Sequence, residues 1–291
     1  RFPMRFREKR AFFLEGSGVY SFANRSGITP FFSRRIGLSE GKQIPIVYGG
    51  RLTGQVGNYE VGMINARTES LGGIPAENFN VARIKRSLFR ESYLGLVYTG
   101  RSADTDSVYR DQDLLGIDLD LSTSRFKGDQ NLNFQAFFVG HSSPKENPNA
   151  TLSDLSTRGI RLNYPNDLWQ AHVSYREFGK EFDPAVGFNT RNGFKRVEPG
   201  VSYRPRPENW ELIRQMEFEI QFEYMTDLDN RLLKRETRFT LFELNFESAD
   251  ELSAKVVNSK EYLDKDFEII EGNLITVGDY VTNGFQISGE T

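Results

Sequence analysis

The chain has 291 residues, with 26 Gly, 24 Phe, 12 Tyr and no Cys, and its 37 basic and 40 acidic residues leave a net charge of −3. That near-balance argues against a nucleic-acid binder with a broad cationic face. The lack of Cys excludes a disulfide framework, Cys-ligated zinc and thiol catalysis, while His141 and His172 are too few for a multi-histidine metal centre.

Residues 1–44 are rich in Arg and Phe, as in Phe12-Phe-Leu-Glu-Gly16 and Thr29-Pro-Phe-Phe-Ser-Arg-Arg-Ile-Gly37. Opening at Arg1 without Met or an evident leader, the chain reads as a mature or trimmed product. From about residue 45 a period-two alternation takes over and helical periodicity is absent. It predicts strands at 45–56 and 59–66 around a tight Gly57-Asn58 turn, then 79–88 and 92–99. Further pairs follow at 113–124 and 130–139, 156–164 and 168–178, and 194–205 and 211–226. The last predicted strands are 231–247, 251–258 and 282–291. In the clearest of them Met216, Phe218, Ile220, Phe222 and Tyr224 project to one side, and Glu217, Glu219, Gln221 and Glu223 to the other.

The connections alternate between short turns and long loops. Long loops are expected at 67–78, 100–112, 140–155, 179–193 and 259–281, and one hairpin, 227–230, is short where a long loop is due. An antiparallel up-and-down transmembrane β-barrel segregates its connections in this way, with tight periplasmic turns on one rim and external loops on the other. A soluble sandwich mixes loop lengths at both ends. No run of about 18 apolar residues predicts a membrane-crossing helix, whereas barrel strands need only alternate residues in lipid.

The expected architecture is therefore an all-β barrel of about 13–14 strands over residues 45–291, with 1–44 as a lumen-threading plug or an ascending first strand. The apolar alternates face lipid, and Tyr59, Tyr98, Tyr164, Trp169, Tyr203 and Trp210 form interfacial girdles. Charged alternates point inward: Arg51, Arg83, Lys85, Asp118, Asp120, Arg161, Arg176, Glu217, Glu219 and Glu223. Arg34 and Arg35 are candidates for pairing with inward carboxylates. The bland alternative places the same charges on the solvated face of a soluble sheet.

Carboxylates two apart on one strand lie roughly 6.5–7 Å apart, a spacing an inverting glycosidase could use. The spacing arises on any charged strand face, so no catalytic residue is assigned. His141, expected in an external loop, and His172, on an inward strand face, have no relay partner by motif. No metal or cofactor is expected. The expected partners are outer-membrane lipid and a glycan or envelope protein, not nucleic acid.

Four stretches carry a resemblance: Arg10-Ala-Phe-Phe-Leu-Glu-Gly16, Phe31-Phe-Ser-Arg-Arg-Ile-Gly37, Ile46 to Gly54, and Val81-Ala-Arg-Ile-Lys-Arg86. With Phe182-Asp-Pro-Ala-Val-Gly-Phe188 and Tyr203-Arg-Pro-Arg-Pro207, the chain resembles an uncharacterised outer-membrane barrel family of Bacteroidota-type bacteria. In that family the barrel follows a carbohydrate-binding family-nine-like domain. The resemblance implies a protein of the Gram-negative outer membrane with a role in glycan-related uptake or envelope docking, and no established catalytic residues. The family's sugar-binding domain would lie before Arg1, so carbohydrate binding is not assigned to these residues. Members also continue with further strands where this sequence stops at Ser288-Gly-Glu-Thr291, so the sheet is expected to carry an uncovered edge. Two other functions compete: a β-rich carbohydrate-active hydrolase or binding protein, and a structural membrane anchor for a missing N-terminal domain.

Overall fold

The computed structural model describes residues 7–24, 27–39, 41–104, 111–142, 147, 149–270 and 272–291. Its first part holds one helical turn, α1 (Ala11–Leu14), two 3-10 turns (Ser17–Tyr20 and Ser33–Arg35) and a small ladder of β1 (Leu38–Ser39) with β2 (Lys42–Gln43). The rest is strand. These are β3 (Ile46–Val56), β4 (Tyr59–Thr68), β5 (Glu77–Leu88), β6 (Ser92–Ala103), β7 (Gln112–Phe126) and β8 (Gln130–His141). They continue as β9 (Ser156–Pro165), β10 (Trp169–Phe178), β11 (Phe194–Tyr203), β12 (Ile213–Asp227), β13 (Leu232–Phe246) and β14 (Glu251–Leu263). A hairpin of β15 (Phe267–Ile270) and β16 (Asn273–Ile275) precedes β17 (Gly278–Glu290).

The protein is all-β, built on one large antiparallel sheet. Its thirteen strands run in the order β3 to β14 by sequence, followed by β17. From β3 to β14 each strand pairs with its neighbours in the chain, and β14 then pairs with β17 beyond the β15–β16 hairpin. Positive φ recurs in the short connections, at Gly57 (58°), Phe89 (56°), Lys127 (50°) and Gly128 (112°), matching the left-handed backbone that two- and three-residue hairpins require. Bulges interrupt the β12–β13 and β13–β14 ladders, the latter between Thr240 and Phe242.

Three expectations change. No closed ring forms among the described residues, because β3 and β17 end the strand order instead of pairing with each other. The long loop expected at 259–281 shrinks. Lys260, Glu261, Tyr262 and Leu263 pair with Val281, Tyr280, Asp279 and Gly278, so the ladder continues through polar residues that resemble loop, and β15–β16 occupies the middle. The segregation of connections has a second exception, since 204–212 on the short-turn side is as extended as 69–76 opposite.

Two compact units divide the chain. The first contains Arg1–Ser122, Phe134–Ile160 and Glu177–Gly193; the second contains Thr123–Asn133, Arg161–Arg176 and Phe194–Thr291. In the first unit the apolar core lies between one sheet face and the N-terminal segment. Phe13, Val19, Tyr20 and Ile36 pack there on Ile64, Ala66, Phe79, Val81 and Val186. Residues 29–36 add no strand to the main sheet; Thr29 makes a single bridge to Phe188.

The other face of the first unit's strands is apolar and exposed. Leu96 and Ile117 stand opposite each other in the β6–β7 register and are 47% and 42% exposed. Leu52, Met63, Ile84, Leu94 and Leu115 are exposed as well. Strands of the second unit repeat this with Val197, Val201, Phe218, Ile220 and Phe239. Apolar side chains thus lie on both faces in the first unit, buried beneath the N-terminal segment on one and exposed on the other, whereas a soluble one-layer sheet leaves a polar outer face.

Candidate functional site

The polar face holds every charged strand residue singled out from the sequence. In the first unit it is organised around Arg83 and Asp118, which are 0% and 1% exposed. They form a two-pronged pair, Nη1 to Oδ1 at 2.6 Å and Nη2 to Oδ2 at 2.8 Å. Such parallel contacts are the strongest geometry open to a guanidinium and a carboxylate. Asp118 Oδ2 also accepts the Ala23 amide at 3.0 Å and the Tyr93 hydroxyl at 3.1 Å. The carboxylate thus ties the N-terminal segment to the sheet. The Phe22 ring lies 5.3 Å from the Arg83 guanidinium. Asp120, one alternate along, accepts from Ser122 Oγ at 2.7 Å and Gln135 Nε2 at 2.6 Å.

Arg51 and Lys85 also hold the segment. Arg51 Nη1 donates to the carbonyls of Phe12 (2.7 Å) and Glu15 (2.6 Å), and its Nη2 meets the Glu15 carboxylate at 2.5 Å. Lys85 Nζ donates to Ser21 Oγ at 2.9 Å and lies 3.5 Å from Glu60. Two glycines make room. A Cβ on Gly62 would sit 2.1 Å from Val19 Cγ1, and one on Gly95 would sit 2.5 Å from Asp118 Oδ1 and 2.6 Å from Arg83 Nη1.

Arg34 and Arg35 donate to backbone: Arg34 Nη1 to the Arg7 carbonyl at 3.1 Å, and Arg35 Nε to the Gly187 carbonyl at 2.9 Å. Arg10 pairs with a carboxylate inside the segment, bound to Glu8 at 2.7 Å and to the carbonyls of Ser33 and Ile36, both at 2.8 Å. Burial pushes the Glu8 carboxyl up, but hydrogen bonds from Arg10, Ser33 Oγ and the Arg10 and Lys9 amides outweigh it and hold the group at about 2. Burial likewise raises Tyr20 to about 12, against the pull of Arg51. The Tyr20 hydroxyl has no hydrogen-bond partner among the described residues.

In the second unit the polar face is a network of ion pairs. Arg176 pairs with Glu198, which also lies 3.5 Å from Arg196. Glu223 is shared between Arg196 at 3.5 Å and Lys234 at 2.9 Å. Glu236 is shared between Lys234 at 3.2 Å and Arg238 at 2.8 Å. Glu217 accepts from Arg204 at 2.9 Å, and Glu219 from Gln221 Nε2 at 2.7 Å. Arg161 lies 3.4 Å from Asn163 Oδ1. A cleft of about 350 Å³ opens among Arg161, His172, Arg176, Glu223 and Glu236.

Arg196, Glu198, Lys234, Glu236 and Arg238 were not singled out from the sequence, although the signal was present. Each falls on the same alternate set as its strand's other residues on the polar face.

His141 departs from its expected place. It ends β8 and is buried, because its ring bridges two loops: Nδ1 is 2.7 Å from the Ser142 carbonyl, and Nε2 accepts the Asp183 amide at 3.1 Å. His172 rests on Gly200, where a Cβ would meet its Cε1 at 2.5 Å.

The aromatic set divides. Tyr59, Tyr164 and Trp169 lie at strand ends bordering short turns, while Tyr203 borders the longer connection 204–212, which contains Trp210. The Trp169 and Tyr203 rings lie 4.6 Å apart, tilted by 36°, and Phe218 stacks on Tyr203 at 6.5 Å. Tyr98 instead sits nearer the long-loop end of β6, and its hydroxyl donates to Asp113 at 2.6 Å.

No cluster of His, Cys, Asp and Glu among the described residues could hold a metal ion, and no described helix is long and apolar enough to cross a membrane. Comparison with protein-family models, curated proteins and solved structures finds no match for this chain.

Proposed function

We propose that this chain is the barrel region of a Gram-negative outer-membrane protein, which serves the passage or docking of glycan-related solutes at the cell envelope. The observation that carries the reading is an apolar alternate left exposed beside a buried charged one in the same strand. In β7, Ile117 is exposed and the next residue, Asp118, is fully buried in an ion pair. In water the exposed Leu96–Ile117 surface costs free energy, whereas acyl chains solvate it. The aromatic residues at the short-turn ends suit an interfacial girdle. A sheet in hydrocarbon cannot leave amides unpaired, so the reading requires the edges of β3 and β17 to close, on each other or through further strands. The family resemblance of the N-terminal motifs supplies the glycan link.

The absence of native Cys makes the test direct. A single Ile117→Cys substitution carrying an environment-sensitive fluorophore should be quenched by brominated lipid in vesicles and shielded from aqueous iodide. The reverse pattern ends the membrane reading.

A second reading, a blocked barrel acting as a membrane anchor, is favoured by the N-terminal segment fastened over the polar face through Asp118, Arg51 and Lys85. Planar-bilayer conductance divides the two: steady single-channel currents support passage, and insertion without current supports anchoring.

A further inference from the structure

We propose that a cavity in the N-terminal segment binds a short neutral oligosaccharide, with one sugar ring laid on the Phe31 side chain and its hydroxyls on a rim of Ser17, Asn24 and Thr190. The inference deepens the proposed function and rests on its reading that the segment, fastened over the polar face, is reached by water and solute.

The cavity measures about 1080 Å³. Among the described residues its lining comes wholly from the N-terminal segment and from connection 179–193, and no strand of the main sheet takes part. Backbone joins those two stretches. Thr29 and Phe188 exchange hydrogen bonds in both directions, at 3.3 and 2.8 Å, and the Phe32 amide donates to the Val186 carbonyl at 2.8 Å. Gly187 permits the approach, since a Cβ there would lie 2.5 Å from the Thr29 carbonyl oxygen and 2.8 Å from that of Pro30. The walls are therefore set before any ligand arrives, which spares binding the cost of ordering them.

The lining grades from apolar to polar. Tyr20 and Phe188 supply buried rings and Phe31 a half-buried one. Phe31 meets Tyr20 edge to face, with centroids 5.3 Å apart and planes at 64°, so its orientation is held by a neighbouring ring. Toward solvent the lining changes to Ser17, Asn24 and Thr190, all exposed. Their hydroxyls and amide can both donate and accept. The charged lining residues are one of each sign, Arg7 and Glu8, and Glu8 is already held by Arg10 and Ser33.

A pyranose matches this gradient. Its C–H face packs on an aromatic ring while its hydroxyl edge meets groups that donate and accept. An acyl chain would use the rings and desolvate the rim for nothing, and an ion of either sign finds no surplus of the opposite charge. The volume lies at the upper end of ligand sites, roughly 300–1,000 Å³, with room for more than one sugar unit.

The test is saturation-transfer NMR on the full chain in lauryldimethylamine oxide, a detergent without a sugar headgroup, with maltotriose, cellotriose and mannotriose added one at a time. Transfer should reach at least one of them and be strongest at ring C–H protons. Phe31→Ala should weaken binding about tenfold, and Phe31→Tyr should retain it. Thr190→Val, on the exposed rim, should also weaken it, with circular dichroism confirming that each variant folds. Absence of transfer to all three sugars overturns the proposal, as does unchanged binding in folded Phe31→Ala. If Phe31→Ala does not fold, Thr190→Val decides in its place, and unchanged binding there overturns the proposal equally. Lipid quenching at position 117 separates the two readings. Quenching without sugar binding removes this site alone, and binding without quenching keeps the site and removes the membrane placement.

Discussion

Arg83 and Asp118 meet across the full width of β6, and they meet above Gly95. They sit on β5 and β7, which are not neighbours, and the glycine between them leaves the gap their side chains cross. Both ions are out of solvent, so the loss of one partner strands the other. Removing one member of a buried pair typically costs about 3–5 kcal/mol. Asp118→Asn should therefore lower stability markedly and also loosen the N-terminal segment, since Ala23 loses a charged acceptor. The double variant Arg83→Met/Asp118→Leu should recover much of the loss. Denaturant titration in detergent, read by gel mobility, checks both.

Gly62 makes a second, purely steric demand. With Val19 Cγ1 placed 2.1 Å from its missing Cβ, Gly62→Ala should drive the Ser17–Tyr20 turn off the sheet while leaving the strands paired. Gly54→Ala, in open space on β3, is the matched control. Limited trypsin digestion should cut after Arg10, Arg34 or Arg35 in the first variant and spare the second.

Much of this fold was legible because period two is hard to imitate. The alternation in 211–226 or 113–124 fixes both strand and face, so Asp118 falls on the face opposite Ile117 and Glu219 on the face opposite Ile220. Ring closure was not legible, because it depends on which strands meet at the edges and no local pattern encodes that. Pairing beyond position 258 was hidden for a different reason: Lys260 and Glu261 lie in a ladder whose composition reads as loop. The partners of Arg34 and Arg35 were also out of reach. A carbonyl such as that of Gly187 is invisible to charge matching. In the second unit Arg196 and Lys234 were legible too, since they obey the same alternation as Arg176 and Glu223.

The Glu8 clip sets a pH limit on the segment. Its carboxyl is lowered from 4.5 to about 2, so the folded form favours the ionised state. The resulting stabilisation is fully present above pH 4.5 and is lost as the pH falls toward about 2. Pepsin cleavage within 8–36 should accelerate across that window in the wild type. Glu8→Gln should cleave faster at the upper end and show a flatter dependence, while a profile identical to the wild type would place the acid-labile contact elsewhere.

The apolar face supplies the sharpest contrast between lipid and water. Ile117 sits mid-strand, opposite Leu96, and is exposed, with no layer of described residues of the first unit over it. On a soluble sheet an exposed Ile→Arg change is nearly neutral, within about 0.5 kcal/mol. In a bilayer the same change at mid-depth costs about 2–4 kcal/mol, and the cost falls toward the interfaces. Ile117→Arg should therefore reduce folding yield into vesicles far more than Tyr59→Arg, which lies beside a short turn. Equal yields for the two variants would mean that this face meets no depth-graded solvent, and the outer surface would then be a site for protein contact instead of acyl chains.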